Sequence, residues 1–548
     1  MRFCRYPIAA FLLLKSLCGA AYADSAQEVA DRYQMDVDAQ SGIVRVRAHL
    51  GDIRANEICC MPAFGQRIGE RLSQPLIVDA QNQAVAVSFD DSGCFSTASA
   101  LSDVWVAYDL TISPLPANRF WVASALSPLH RDGTIAIPGE SLFIERDARK
   151  SGGIGRRTTV EVRNVGDIQV VSTLLPDDAS AGGTLAFTAP NKYALVRSFW
   201  TFGAQRILTA SSGRMSFILS VAAGVTFPIE TVERELIAIL DAYDSWLGGK
   251  TPAHVSIFLF AAPHDADYRH GFARHGGFIV QLGRNAVSDG AARRILLAHE
   301  LFHLYNGEGL QYDADDYHGT AWMREGMTQY LALKTLLGLG LLRQNDIYRW
   351  MGQSIERNTS SGQIIAGNSS ENAYHRGYFL SLAIEQQWAR FNTGLSLENY
   401  WRYLAQTDAW QVAQTNRHLQ KSLELYSGFD FSDFFRRYVY GSEPVPVKEI
   451  LRMAGLCVVR RLYTTWSAGM SYRYEATDAT LRVDRVDARG SAKQAGLRVG
   501  DVLVPQPDTS WQDNRDKQIG VIRKDKQLQM RIPVLQITAN GVDVGPCG

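Results

Sequence analysis

Past its first two dozen residues this chain has no run of the roughly 20 apolar residues that a membrane-spanning helix requires. The nearest approach, residues 215–227, is short and is broken by Ser216, Ser220 and Gly224. Charge of one sign is missing too. Lys+Arg and Asp+Glu both number 56, so the formal net charge is zero, and nothing electrostatic points to nucleic acid or an anionic membrane as the main partner. Cysteine is sparse, at 7 in 548 residues, and no pair has the C-x-x-C spacing of a cysteine-ligated zinc site. What is present is an ordinary globular mixture, 46% hydrophobic and 20% charged, in a chain long enough for about three domains.

The N-terminus differs from the rest. Arg2 and Arg5 precede an apolar run from Pro7 to Leu14, and Ala21-Tyr22-Ala23 has the small-x-small form of a signal-peptidase site. Residues 1–23 are therefore expected to be a leader, lost on export to the periplasm or beyond the cell, with no membrane span in what remains. Its removal takes Cys4 and Cys18 and leaves five cysteines where disulfides can form. Cys59, Cys60 and Cys94 make one group, compatible with one disulfide or with a buried thiol; Cys457 and Cys547 flank another region.

Residues 24–213 carry short alternating segments, among them Ile43-Val44-Arg45-Val46-Arg47-Ala48, Val104 to Leu110, Thr159 to Val162 and Ile168 to Val171. Period-two alternation between turn signals predicts an all-β sandwich. From residue 214 the pattern mixes. Met215 to Val221 reads as a strand and Glu230 to Leu247 as a helix with Val232, Leu236, Ile237, Leu240 and Tyr243 on one face. Val255 to Phe260 and Gly277 to Leu282 read as further strands, and a strand edge here would offer main-chain hydrogen bonds to an extended peptide.

The chemistry is concentrated in Leu297-Ala298-His299-Glu300-Leu301-Phe302-His303-Leu304-Tyr305-Asn306. His299 and His303 stand four apart, so on a helix both imidazoles leave one face and can share a metal ion. Glu300 then sits beside the metal, where it can take a proton from water that the ion acidifies. Ser288-Asp289 can cap this helix and Asn306-Gly307 can stop it. The longer pattern H-E-x-x-H-x-x-G-x-x-H fails, because Asn306 and Gly309 hold the later places, and Glu308 is too near the helix end to return. A third ligand is better supplied by Glu325, in Trp322-Met323-Arg324-Glu325-Gly326-Met327-Thr328-Gln329-Tyr330, which opens a second apolar helix. His299, His303 and Glu325 are the expected ligands of one Zn2+ per chain.

H-E-L-F-H-L-Y-N followed by W-M-R-E-G-M-T-Q-Y resembles the glycyl aminopeptidase family of gluzincin metallopeptidases, which carry a PDZ domain. Asn372-Ala373-Tyr374-His375-Arg376-Gly377 is similar to a segment of that family whose tyrosine hydroxyl hydrogen-bonds the oxyanion of the tetrahedral intermediate; the resemblance gives Tyr374 that role. Asp433 to Pro444 is similar to the segment that closes the family's catalytic domain. Gly490 to Leu503, with Ala495-Gly496-Leu497 and Gly500-Asp501, is similar to a PDZ segment, and Ala468-Gly469-Met470-Ser471-Tyr472 would receive a peptide carboxylate. Cys457 and Cys547 bracket that domain and would staple its ends.

The resemblance also implies an acid near the substrate's free amine, from a G-G-x-E-H segment on the edge strand. Gly276-Gly277-Phe278-Ile279-Val280 is the matching place, and it holds no acid; Asp313, Asp315 and Asp316 lie in a loop beyond. The expectation is a multidomain α+β protein. It comprises a β-sandwich (24–213), a thermolysin-like catalytic domain with an α-helical lobe (214–450) and a PDZ-like domain (451–548). Its function would be hydrolysis of peptide bonds in a peptide or protein substrate, with Glu300 as general base and a C-terminal peptide as PDZ ligand. The competing expectation is a peptide-binding protein on a catalytically lapsed scaffold, against which the intact Glu300 argues.

Overall fold

The computed structural model describes residues 31–547 apart from single positions, the pairs 91–92, 164–165 and 213–214, and the segments 62–71, 115–127, 147–156, 178–182, 223–227, 263–267, 284–288, 361–369, 476–479 and 505–515. The expected leader lies outside the described residues.

The first unit is built from sheets. A seven-stranded sheet runs in the order Leu185–Ala189, Thr158–Arg163, Asp31–Asp38, Ile43–Ile53, Leu101–Thr111, Leu76–Val78, Ala84–Val85. In its central strand Val44, Val46, Ala48 and Leu50 are buried while Arg45 and Arg47 face out, as period-two alternation requires. A four-stranded sheet of Gln169–Ser172, Phe199–Gly203, Thr134–Pro138 and Leu129–Arg131 supplies Trp200, Phe202 and Ile135 to the same core as Tyr33, Val46 and Val106. Cys60 bonds Cys94, joining two short strands, and its neighbour Cys59 is buried in that core.

The far face of the four-stranded sheet meets the second unit. Phe199 lies edge-on to Phe258, with ring centroids 5.0 Å apart, and shares an apolar seam with Phe260 and Ile279. Those residues belong to a five-stranded sheet ordered Gln205–Ser212, Met215–Ala222, His254–Ala261, Gly277–Leu282, Arg269–Arg274. The middle strands are parallel and buried on both faces, hence their continuous apolar character. Gly277–Leu282 lies inside the sheet. The free edge belongs to Arg269–Arg274, antiparallel to it, so the substrate edge expected at Gly276 to Val280 sits one strand further out. The sheet's other face packs on the helices Ile229–Leu247, Gly290–Phe302, Thr328–Gly338 and Ser370–Arg390. Trp388, Trp401 and Leu404 are fully buried in the helical layer as core residues.

The third unit hangs on a ribbon of two twelve-residue strands, Leu456–Ser467 and Leu535–Pro546, paired along their whole length. A separate five-stranded sheet follows, with its own core of Val483, Leu497, Val521 and Ile532. The ribbon docks on the helix Gln344–Ser360, where the Val542 amide donates to Glu356. Cys457 and Cys547 are disulfide-bonded at its base, closing a separation of 90 residues. Cys457→Ser is expected to lower the stability of residues 456–547 by about 2–4 kcal/mol. Hydrogen exchange of the ribbon amides in urea measures this, and an unchanged unfolding midpoint contradicts it.

Candidate metal centre

The motif helix Gly290–Phe302 begins where expected: the Asp289 side chain accepts from the amides of Ala291 (3.1 Å) and Ala292 (3.3 Å). Leu297 and Leu301 anchor it in the core, and the Tyr243 hydroxyl donates to the Ala298 carbonyl at 2.9 Å. Behind it the buried pair Arg293–Glu235 (2.9 Å) fixes its rotation. The rotation matters, because it turns His299, Glu300 and His303 toward the second helix. His303 is the C-cap that follows the last helical residue, and the chain turns away after it.

Glu325 comes from a π-helical turn, Trp322–Met327, that leads into Thr328–Gly338. The wider turn is a common device for placing a functional side chain. His299 and His303 present their Nε2 atoms 3.0 Å apart, and Glu325 Oε2 lies 3.5 and 3.3 Å from them. Three ligands each about 2.05 Å from a tetrahedral centre stand about 3.3 Å from one another, so the triad has the spacing a metal ion needs. Protonation agrees. His303 Nδ1 lies 3.0 Å from the Asn306 carbonyl oxygen and donates to it, which turns Nε2 toward His299 Nε2 and Glu325. Among the described residues Glu325 Oε2 is buried without a hydrogen-bond partner. Two imidazole nitrogens and a carboxylate oxygen facing one another in a buried site suit a cation between them, and a divalent metal fits.

The electrostatics carry the same message. Burial opposes charging His303, but the charge of Glu325 outweighs it and raises its pKa to about 9. Burial works against the Glu325 carboxylate too, yet His303 and His299 hold it well below the usual range. Burial lowers the His299 pKa, with Glu325 opposing. Glu300, 5% exposed, is pushed up by burial to about 7, with His303 opposing and Glu325 adding. The Tyr374 ring stacks on His299, centroids 5.2 Å apart, and burial followed by the charges of Glu325 and Glu300 raises its hydroxyl pKa well above normal. All five residues singled out in the sequence, His299, Glu300, His303, Glu325 and Tyr374, thus converge.

Tyr374 arrives on the helix Ser370–Arg390, which crosses the π-helical turn at two glycines. A Cβ on Gly326 would lie 2.2 Å from the Gly377 Cα, and one on Gly377 would lie 2.1 Å from the Trp322 carbonyl oxygen. Only glycine at both positions allows that approach. The edge strand has its own requirement. A Cβ on Gly271 would fall 2.3 Å from Glu300 Cγ, so the free edge passes directly over the carboxylate.

Asn306, which the sequence marks only as a helix stop, is fully buried between the two ligand-bearing helices. Its Nδ2 donates to the carbonyls of Met323 (3.0 Å) and Arg324 (3.2 Å) and to Thr328 Oγ1 (2.8 Å). Its Oδ1 accepts from the Tyr312 hydroxyl. Glu308 turns away from the metal ligands toward Arg197, and Asp316 accepts from the Asn416 amide at 2.7 Å, closing its loop. Among the described residues Glu308 is not part of the ligand triad.

Comparison with known proteins places this geometry. Residues 293–392 match the family model of the M61 glycyl aminopeptidases. That match supports a peptidase. The matched segment runs from the motif helix through Glu325 to Tyr374 and Gly377, the parts that form the centre. Among solved structures, an aminopeptidase N family protein from Idiomarina loihiensis has the same fold. It aligns at a TM-score of 0.71 and 14% identity, over 93% of this chain and 98% of that one. A mutant M1 zinc metallopeptidase from Deinococcus radiodurans aligns at 0.50 and 13%, over 76% of this chain and 95% of the other. No match was found among curated proteins.

Asn306→Ala is expected to weaken zinc binding about 10–100-fold, as loss of a group that orients ligands does. Competition with a chromophoric chelator measures this, and wild-type affinity in the variant contradicts it.

Proposed function

We propose that this chain is an exported zinc peptidase in which His299, His303 and Glu325 hold the ion, Glu300 handles the proton and Tyr374 stabilises the oxyanion. The observation that carries the reading is the convergence of three metal-binding atoms within 4.8 Å, under an open strand edge and beside a buried carboxyl and a buried phenol. Bound zinc would supply Lewis acidity to water and to the scissile carbonyl. Glu300 takes the proton of the attacking water on its carboxylate and returns it to the departing amine. Tyr374, kept protonated by burial, donates its hydroxyl to the carbonyl oxygen as negative charge develops. The edge strand Arg269–Arg274 aligns an extended peptide through its main-chain groups, and Gly271 lets that peptide lie close to Glu300.

The division into a leader at residues 1–23, a β-sandwich at 24–213, a thermolysin-like unit at 214–450 and a PDZ-like unit at 451–548 belongs to the same proposal. Two disulfides support an oxidising compartment, periplasmic or extracellular. In the third unit Met470–Glu475 pairs with Thr480–Val486 at one edge of its sheet. Asp501, held by Arg523 at 2.6 and 2.7 Å, fixes the turn into Val502–Val504. An edge strand beside the Ala468-Gly469 loop is the arrangement that receives a peptide C-terminus.

Glu300→Gln is expected to lower kcat/KM on a peptide mixture about 10²–10⁴-fold, and Tyr374→Phe about 10²–10³-fold, with zinc content unchanged in both. Mass spectrometry of the digests decides. Cleavage by Glu300→Gln at the wild-type rate removes this motif as the catalyst.

A further inference from the structure

The free edge of the catalytic sheet ends on an unexpected charge. Along Arg269–Arg274 the side chains alternate. Gly271 lies against Glu300 and Ala273 packs on the helical core, whereas Phe272 and Arg274 share the opposite face. The Arg274 guanidinium carbon sits 4.5 Å from the centre of the Phe272 ring. Three residues beyond Gly271, and so about 10 Å along the strand, it meets the first unit, where Nη1 donates to Glu140 Oε1 at 2.5 Å.

A second ion pair lies beside the first. Arg197 Nε donates to Glu308 Oε1 at 3.1 Å, and Tyr193 reaches the same carboxylate from the outer side. The Glu308 amide donates in turn to the His303 carbonyl at 3.1 Å. The four charges therefore join the end of the substrate edge, the first unit and the loop that leaves the metal ligand. Tyr193 is 43% exposed, so solvent reaches the cluster from its side.

The balance within this cluster is incomplete. Arg274 is 1% exposed, yet among the described residues its Nε and Nη2 have no hydrogen-bond partner, and neither has Glu140 Oε2. That leaves three N–H donors facing one spare acceptor. Burial pulls the Arg274 pKa down, with Glu140 opposing and Arg197 adding, as expected of a cation that is under-compensated. The unpartnered side is the Nε/Nη2 fork, whose two parallel N–H groups match the two oxygens of a carboxylate.

Resting on the peptidase reading above, we infer that Arg274 is a specificity residue that receives a substrate carboxylate. The preferred substrates are peptides with Asp or Glu within two or three residues of the cleaved bond. A free amino terminus is disfavoured there, since an ammonium group would bring more donors to a place that already has too many and would lie beside two guanidinium groups. The edge strand itself, Arg269-His270-Gly271-Phe272-Ala273-Arg274, offers no acid to such an amine.

The test uses the full zinc-loaded chain and one cleavable peptide carrying Glu, Gln or Lys at each of the three positions on either side of the scissile bond. Free and acetylated amino termini are included. At one position Glu is expected to exceed Gln in kcat/KM by about tenfold or more, chiefly through KM. Arg274→Gln brings that ratio close to one. Glu140→Gln raises it, by freeing Nη1 and removing a competing carboxylate; this variant decides the matter if Arg274→Gln does not fold. A general loss of structure lowers all substrates together and leaves the ratio unchanged. Equal rates for Glu and Gln at every position, a ratio that persists in Arg274→Gln, or a ratio that falls in Glu140→Gln overturns the inference. The peptidase reading fails separately, on undiminished cleavage by Glu300→Gln.

Discussion

The centre depends on one buried amide. Asn306 ties the loop after His303 to the turn that carries Glu325, through hydrogen bonds to two carbonyls and a threonine hydroxyl, while its own carbonyl oxygen orients the His303 ring. Without it, the last turn of one helix and the first of the other would have no fixed separation. A metal site tolerates little error in that separation, because the ligand atoms must sit within a few tenths of an ångström of their places. Three polar contacts made in a dry environment are directional and costly to leave unmade. They therefore specify the approach of two helices that leucines alone would merely hold together.

Around that knot the structure spends glycines where the chain must come close. Gly271 lets the edge strand run over Glu300, and the Gly326–Gly377 crossing brings Tyr374 onto the face of His299. The second constraint is charge. His303 and Glu325 each make the other's ionised form favourable in surroundings that would otherwise suppress it. Positive charge is thus demanded at the point where the ligand atoms converge. The first unit contributes as well: it packs on the sheet through Phe199 and extends Glu140 and Arg197 to the end of the substrate edge.

The sequence carried the metal site well, because its signal is local. An H-E-x-x-H spacing becomes one helix face by geometry alone, Asp289 caps that helix as read, and Glu325 opens a helix whose apolar pattern is plain. Strands that alternate, such as Ile43–Ile53, were equally legible. What escaped was whatever depends on distant pairing. Arg269–Arg274 has a polar and glycine-containing sequence that does not read as a strand, so the edge was assigned to the more apolar Gly277–Leu282, which is in fact covered. The partnership of Arg274 with Glu140 spans 134 residues and has no motif. Asn306 gave a turn signal, and a turn it is, but the same letter conceals a buried side chain with several partners. Cys60 rather than Cys59 joins Cys94 because Cys60 and Cys94 stand directly opposite in the ladder and share one face of the sheet, whereas Cys59 is opposite Phe95 and turns to the other face.

We propose that His299, His303 and Glu325 form one zinc site. Crystals of the full chain, measured on both sides of the zinc absorption edge, test it most directly. A single strong anomalous peak is expected about 2.0–2.2 Å from His299 Nε2, His303 Nε2 and Glu325 Oε2. A peak elsewhere, or one that touches the two histidines while Glu325 points away, contradicts it.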